Sequence, residues 1–308
     1  MHSVRRRDEL TLLSAYTTQS RCFSRAALVD GSVGSVHMSF GLCALAAGGF
    51  INRHVHSFEE SFYVLEGSPV LILDNSAYWL SPGTCGVVPV GIPHAWGGPS
   101  REGATWIDML SPQPRTNGGP ADTFFLGPAS APEYRELDIR DPRSRHLFRM
   151  SDGDIDLDTI KNGTSADAPA VSASMNTAVL AYSGIALKML VDQRLGAELS
   201  SMFMVEYQPG GVAHPHDHPL EEAYFILEGE VDATADDRHY VLRQGDVFWT
   251  GVGCIHSFEN RSGSRVRWLE TQSPQLPARY GYRFNRDWEY LKRKLSSEAP
   301  QAVPDPVR

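Results

Sequence analysis

Short apolar and alternating runs that end at glycine recur along the chain. Two of them are nearly alike and read ESFYVLEG and EAYFILEG. Both are rich in aromatic and β-branched residues, which favour strands, and the closing glycine is typical of a turn. Similar runs follow, separated by glycine and proline: PVLILD, CGVVPV and TWIDML after the first, and EVDATA, RHYVL, DVFWTG and RVRWLETQ after the second. The pattern predicts an all-β protein built as a sandwich or barrel.

Aromatic side chains mark both the predicted strands and one predicted helix. Near the end of the chain, NRDWEYLKRKLSSEA opens with cap-type residues and places Trp288, Leu291 and Leu295 at helical spacing. We expect a short amphipathic C-terminal helix there, packed on the body. In the strands, the aromatic residues expected to lie in the core or the barrel wall are Tyr63, Tyr224, Trp106 and Trp268.

The chain contains an internal repeat with a constant offset of 162 positions, which carries residue 54 onto residue 216. The same offset aligns, without a gap, residues 28–34, 48–67 and 106–112 with residues 190–196, 210–229 and 268–274. A register held over roughly eighty positions indicates two copies of one structural unit. We expect five parts: an N-terminal arm (1–22), a first barrel (23–115), a connecting segment (116–180), a second barrel (181–275) and a C-terminal extension (276–308).

Composition narrows the class of protein. The 308 residues carry a formal charge of −9, which disfavours a nucleic-acid surface. No apolar run reaches the roughly 20 residues of a membrane helix, and no signal-peptide pattern follows the basic start. The four cysteines lie singly, so neither a disulfide framework nor a thiolate zinc site is indicated. We expect a cytoplasmic protein with a small-molecule partner, no nucleic-acid or membrane partner, and homo-oligomer formation left open.

Histidines cluster at the repeated positions. On a strand, residues i and i+2 share a face, so each His-x-His pair points one way. A carboxylate follows four residues later, and a third histidine lies on a distant strand. Such a set suits a first-row metal (Fe, Mn, Ni, Cu, Co or Zn) and leaves two octahedral positions open. We expect one ion in each barrel, held in the first by His54, His56, Glu60 and His94, and in the second by His216, His218, Glu222 and His256.

The second copy alone leaves its ligand set ambiguous. It contains a third histidine and a second glutamate, so His214 and His216 with Glu221 would form an equally spaced set. The first copy has a single histidine pair, and its register selects His216, His218 and Glu222. We therefore expect His214 and Glu221 to be neighbours of the site.

The spacing of these residues resembles the two motifs of the cupin superfamily. The first motif is glycine, five residues, His-x-His, three residues, Glu, six residues and glycine. The second is glycine, five residues, Pro-x-Gly, two residues, His, three residues and Asn. Both copies match, except that Gly98 replaces the final Asn in the first copy and Gly251 replaces the Pro in the second. The resemblance implies a bicupin, with two double-stranded β-helix (jelly-roll) barrels and a metal ion at the centre of each.

Cupins carry out many kinds of chemistry, so the resemblance does not choose a reaction. The leading hypothesis is a metal-dependent oxygenase, of the dioxygenase type, that acts on a small organic acid or aromatic. The open metal positions would take dioxygen and substrate together. In this hypothesis Glu60 or Glu222 would act as a catalytic base, provided that its contact with the metal is loose.

Other functions stay open. A hydrolase similar to ureidoglycine aminohydrolases, which are bicupins with an N-terminal arm, would be expected to present Glu, His, His and Gln in its metal-bearing barrel. A decarboxylase similar to oxalate decarboxylase would need an arginine at the metal. Arg53 offers one in the first barrel, whereas the second has Pro215 there. An isomerase or a non-catalytic small-molecule-binding protein would also fit the fold.

Overall fold

The computed structural model describes residues 1–97, 102–115, 122–127, 132–138, 141–155, 184–275 and 283–284. Within these ranges the chain forms strands and short 3-10 turns, and none of the described residues lies in an α-helix. The all-β class is therefore confirmed. The predicted C-terminal helix falls within residues 285–308, outside the described part of the chain. None of the described segments forms a helix that is long and apolar enough to cross a membrane.

Thirteen strands precede residue 150. They are β1 (His2–Arg5), β2 (Leu13–Ser14), β3 (Ser20–Val29), β4 (Ser39–His56), β5 (Glu59–Glu66), β6 (Val70–Leu73), β7 (Ser76–Trp79), β8 (Thr84–Val88), β9 (His94–Gly97), β10 (Ala104–Ser111), β11 (Thr123–Phe125), β12 (Glu133–Arg135) and β13 (Leu147–Arg149). Short 3-10 helices span Arg7–Glu9, Gly31–Val33, Pro142–Ser144 and Asp152–Ile155.

Ten further strands are described in the second half. They are β14 (Ile185–Val191), β15 (Ser201–Tyr207), β16 (Val212–Asp217), β17 (Glu221–Glu228), β18 (Glu230–Ala235), β19 (Arg238–Arg243), β20 (Val247–Thr250), β21 (His256–Glu259), β22 (Val266–Ser273) and β23 (Arg283–Phe284). Together with β1, they form a six-stranded sheet in the order β1-β20-β17-β22-β15-β14 and a five-stranded sheet in the order β19-β18-β21-β16-β23.

A long strand links the two layers of the first barrel. The early part of β4 pairs with β3 and β10, and its later part pairs with β9 and β11. Gly48, with a φ of +67°, lies where the two parts meet, in the left-handed region that glycine adopts without a steric penalty. At the corresponding place in the second copy, Gly210 has a φ of +79°, and the strand is divided into β15 and β16.

Buried apolar residues form three clusters. One fills the first barrel around Phe62, Trp96 and Trp106, and one fills the second around Phe258 and Trp268. The third lies between the barrels and combines residues of both copies, among them Phe40, Met109, Phe225 and Trp249. The strands at this interface are therefore buried on both faces, which holds the two barrels together.

Segments outside the repeat cover equivalent strand edges. β8 and β20 occupy the same position in the two copies, and β13 pairs with β8 while β1 pairs with β20. Covering an edge satisfies backbone groups that would otherwise invite pairing with another chain. The N-terminal strand thus completes the second barrel. The five-part division stays a prediction, because residues 156–183 and most of 276–308 lie outside the described residues.

Candidate metal centres

The first centre brings together four buried side chains from three strands. Alternate positions on β4 direct His54 and His56 into the barrel, β5 contributes Glu60, and β9 contributes His94. One ligand atom from each lies within 4.8 Å of the corresponding atoms of the other three. The four residues that the repeat selected in the first barrel are therefore adjacent in space.

Hydrogen bonds fix how these imidazoles are turned. The Nδ1–H groups of His54 and His94 donate to the carbonyls of Asn52 and Ile92, at 2.6 and 3.0 Å. Nδ1 of His56 contacts the hydroxyl of Thr123 at 3.1 Å. Each ring consequently presents Nε2 to the centre, the arrangement that second-sphere partners give to metal-binding histidines.

The electrostatics of this centre suit a cation. Burial, together with the neighbouring imidazoles, lowers the pKa of His54 to about 2, so its ring is neutral. Burial would raise the pKa of Glu60, but the hydrogen bond from His56 and the nearby imidazole of His94 lower it overall, so the carboxylate is charged. Nε2 of His94 is buried and has no hydrogen-bond partner among the described residues. Inward lone pairs beside a buried carboxylate are what a transition-metal ion binds.

The second centre is similar, with three histidines close together and Glu222 beside two of them. His216, His218 and His256 place their ligand atoms within 4.8 Å of one another. Oε2 of Glu222 lies 2.6 Å from Nε2 of His218 and 3.3 Å from Nε2 of His256. The Nδ1 atoms of the three histidines contact backbone carbonyls at 2.7 to 3.0 Å, so Nε2 again faces inward. Glu222 thus contacts two of the three histidines but is not within 4.8 Å of all of them, as Glu60 is in the first centre. The role of the eight predicted residues as metal ligands stays a prediction.

Glu60 and Glu222 differ in the hydrogen bonds that their carboxylates accept. Nε2 of Gln272 donates to Oε1 of Glu222 at 2.6 Å, and the hydroxyl of Tyr224 donates to Oε2 of the same carboxylate. Tyr224 lies in the apolar core of the second barrel, as predicted, and its hydroxyl in addition holds this carboxylate. In the first copy, Phe62 and Leu110 stand at the two equivalent positions and cannot donate a hydrogen bond. Comparing the two copies position by position would have revealed this difference.

Of the two predicted neighbours of the second centre, His214 lies beside it and Glu221 does not. Glu221 faces away from it, because adjacent residues on a strand point to opposite sides. Its carboxylate accepts hydrogen bonds from the hydroxyl of Ser35 and the backbone N–H groups of Val36 and His37, in the other barrel. His214 supplies the carbonyl that accepts from Nδ1 of His216. The expectation was therefore wrong for Glu221, which joins the barrels.

A partly buried arginine lies beside the first centre. Nε and Nη2 of Arg25, on β3, each donate to Asp108 at 2.7 Å, and Nη2 also donates to Ser39 at 3.2 Å. Arg53, the arginine considered from the sequence, alternates with His54 along β4 and so lies on the opposite face of the strand. No sequence signal pointed to Arg25, because its counterpart in the second copy is Leu187.

A cavity leads towards the first centre. It has a volume of about 660 Å³ and is lined by Tyr16, Phe58, Phe125, Arg25 and Leu110, among other residues. A narrow chamber formed by His54, His56, Glu60 and surrounding aromatic rings shares Tyr16, Arg25 and Leu110 with it. These three residues therefore line both spaces.

Comparison with protein families gives two matches within this chain. A family model described as the cupin domain matches residues 41–110 and 203–271. Together the two segments contain all eight candidate ligands.

Curated relatives match a smaller part of the chain. Germin-like protein subfamily 2 member 1 of Arabidopsis thaliana is 35% identical over 89 residues, which cover 27% of this chain and 39% of the relative. Germin-like protein 5-1 of Oryza sativa subsp. japonica is 32% identical over 83 residues, covering 25% and 38%. The chain thus spans less than half the length of these relatives.

Solved structures match over most of the chain. Salicylate 1,2-dioxygenase of Pseudoaminobacter salicylatoxidans, in adducts with gentisate, superposes with a TM-score of 0.62 at 13% identity, covering 89% of this chain and 81% of that one. Oxalate decarboxylase of Lactobacillus farciminis, in its formate complex, gives a TM-score of 0.60 at 16% identity, covering 96% and 93%. Identities this low establish a shared fold and nothing finer.

Proposed function

This chain belongs to the cupin superfamily and carries two cupin domains, as its motifs predict, and we propose that it is a metal-dependent oxygenase of a small organic acid or aromatic. The donor set of three imidazoles and one carboxylate fits a first-row transition metal in each barrel. A redox-active ion there, for which we propose iron, would supply open coordination positions and electron exchange with dioxygen.

We assign catalysis to the first centre because its glutamate is the less restrained. Among the described residues, the side chain of Glu60 contacts imidazoles, at 3.1 Å from His56 and 3.4 Å from His94. Glu222 is held on both oxygens by Tyr224 and Gln272. A carboxylate that serves as a base must be able to shift towards the proton it accepts. Glu60 has that freedom, and Glu222 is better suited to a fixed site.

The choice of an acid as substrate rests on the position of Arg25 and on Nη1 of its guanidinium, which no described residue occupies. Its side chain is 16% exposed and lines both the cavity and the chamber of the candidate ligands. Nε and Nη2 are occupied, whereas Nη1 makes no hydrogen bond to any described residue. A guanidinium is a preferred partner for carboxylates. We propose that Nη1 binds an acid group of the substrate, while Phe58 and Phe125 pack against its apolar part.

An oxygen-electrode assay tests this proposal. Iron-loaded protein would be screened against catechols, gentisate-like acids, flavonols, β-diketones and ureides. We expect one class to consume oxygen, turnover to stop under strict anaerobiosis, and His94→Ala to abolish it. His256→Ala, in the other barrel, is the matched control and should retain activity. Turnover that proceeds equally well without oxygen would refute the oxygenase and point to a hydrolase.

Decarboxylation is the second candidate, and the same arginine favours it. A partly buried guanidinium next to a complete ligand set would also hold a short dicarboxylate, and one similar fold is that of an oxalate decarboxylase. The two reactions differ in their products. A decarboxylase would release carbon dioxide from oxalate without net consumption of oxygen, whereas a dioxygenase would consume oxygen in proportion to substrate.

A further inference from the structure

A third group of potential ligands lies outside the two candidate centres, where β1 meets two loops of the second barrel. His2 comes from β1, Asp236 from the turn between β18 and β19, and Cys254 from the loop that precedes β21. One ligand atom from each lies within 4.8 Å of the other two. Nδ1 of His2 is 2.9 Å from Oδ2 of Asp236, and Sγ of Cys254 is 3.6 Å from Oδ1. Three distant parts of the chain therefore meet at one carboxylate.

The histidine of this group is oriented like a metal ligand. Its Nε2 lies 2.7 Å from the hydroxyl of Tyr240, which leaves Nδ1 directed at the carboxylate. Metal-binding histidines commonly use their second ring nitrogen in this way, and the contact fixes the tautomer. The side chain of His2 is 7% exposed and Cys254 is 2% exposed, whereas Asp236 is 45% exposed. Two of the three potential ligands are therefore buried. The third, Asp236, is exposed to solvent, so an ion could reach the group from its side.

We propose that His2, Asp236 and Cys254 bind a zinc ion, with water in the fourth position. Thiolate, imidazole and carboxylate are the three ligand types that zinc uses in proteins. The thiolate separates this site chemically from the two barrel centres, which offer nitrogen and oxygen alone. Asp236 also pairs with the α-amino group of Met1 at 3.1 Å, and a bound zinc ion would share or replace that contact.

The site connects the N-terminal strand to the second centre. β1 pairs with β20 from His2↔Thr250 to Arg5↔Val247, and the loop after β20 carries Cys254. The carbonyl of Cys254 accepts the hydrogen bond from Nδ1 of His256, at 3.0 Å. A zinc ion on the thiolate would thus fasten the loop that orients a candidate ligand of the second centre.

Cobalt substitution tests the proposal on the full-length chain, stripped of metal and carrying any tag at its C-terminus. Cobalt bound to a thiolate gives an intense near-ultraviolet charge-transfer band, which nitrogen and oxygen ligands do not give. We expect the band in the unaltered protein and its loss in both Cys254→Ser and His2→Ala. Cys22→Ser, at an exposed cysteine, should retain it, as should His54→Ala in the first barrel.

His2→Ala keeps the test decisive if Cys254→Ser folds poorly, because His2 lies on an added edge strand outside the barrel cores. Circular dichroism would establish that each variant is folded. The absence of a band in the unaltered protein, or a band that persists in folded His2→Ala or Cys254→Ser, would overturn the proposal.

Discussion

Adjacent glutamates in each copy have different roles, and strand geometry explains why. Glu60 and Glu222 face the barrel interiors and contact imidazoles. Glu59 and Glu221 face the other barrel. The repeat register predicted which glutamate of each pair joins the histidines. It could not predict the partners of the other, because those belong to the opposite copy.

The hydroxyl of Tyr224 provides a test at this scale. Tyr224→Phe places at this position the residue type that the first copy has, and it removes a donor to Glu222. Loss of a second-sphere hydrogen bond typically weakens metal binding about 10- to 100-fold. We therefore expect the Mn²⁺ affinity of the second centre to fall by about that factor. Isothermal titration would measure it, with Tyr63→Phe as the control. An unchanged affinity would show that this hydroxyl does not support the ligand.

The pH dependence of stability tests the buried imidazoles. Burial and neighbouring imidazoles lower the pKa of His54 to about 2 and that of His216 to about 3, from an ordinary value of 6.5. Below pH 6.5 the unfolded chain binds protons that the folded chain does not. For each pH unit of acidification below 6.5, each of these histidines should therefore lower the free energy of unfolding by about 1.4 kcal/mol. His218 does not offset this slope: burial alone would lower its pKa, but Glu222 raises it overall, so its stabilising contribution is complete below pH 6.5 and is lost only as the pH rises through the raised pKa.

Denaturant unfolding of the metal-free protein between pH 6.5 and 4.5 would measure the slope. We expect a net loss of stability on acidification, and a shallower loss in His54→Asn. An equal slope in the variant would mean that His54 is not held neutral in the folded protein.

Reciprocal contacts between elements join the two barrels. Glu221 accepts from the backbone N–H groups of residues 36 and 37, and Glu59 accepts from those of residues 198 and 199, which lie one repeat offset away. The hydroxyls of Ser111 and Ser273, also one offset apart, lie 2.7 Å from each other. The pairing of equivalent positions indicates a pseudo-two-fold relation between the barrels.

Removing one of these contacts should destabilise the whole protein. Glu221→Gln leaves the buried hydroxyl of Ser35 and two backbone donors with a poorer acceptor, so we expect a loss of about 1–3 kcal/mol in the free energy of unfolding. Glu228→Gln, at the exposed end of the same strand, breaks a surface pair with Arg265 and should cost less than about 1 kcal/mol. Equal effects of the two substitutions in denaturant unfolding would contradict this role for Glu221.

At the scale of the whole molecule, the sequence predicted the features that lie within one copy of the repeat, namely its strands and its candidate ligands. Glycine-bounded strands and the repeat predicted the all-β class, and the repeat selected the eight clustered residues. The core between the barrels and the Arg25–Asp108 pair were not predicted. Residues such as Phe225 and Trp249 fit a barrel wall equally well by pattern, and the sequence does not specify which faces of two copies meet. Arg25 stands in a strand with no motif of its own.

The central claim is that each barrel binds one metal ion through its three histidines and its glutamate. Manganese tests it most directly, because imidazole and carboxylate ligands suit this ion and a thiolate site does not. Elemental analysis of manganese-loaded protein should find close to two ions per chain, and close to one in each of His94→Ala and His256→Ala. One ion per chain in the unaltered protein, with no further loss in His94→Ala, would contradict the claim.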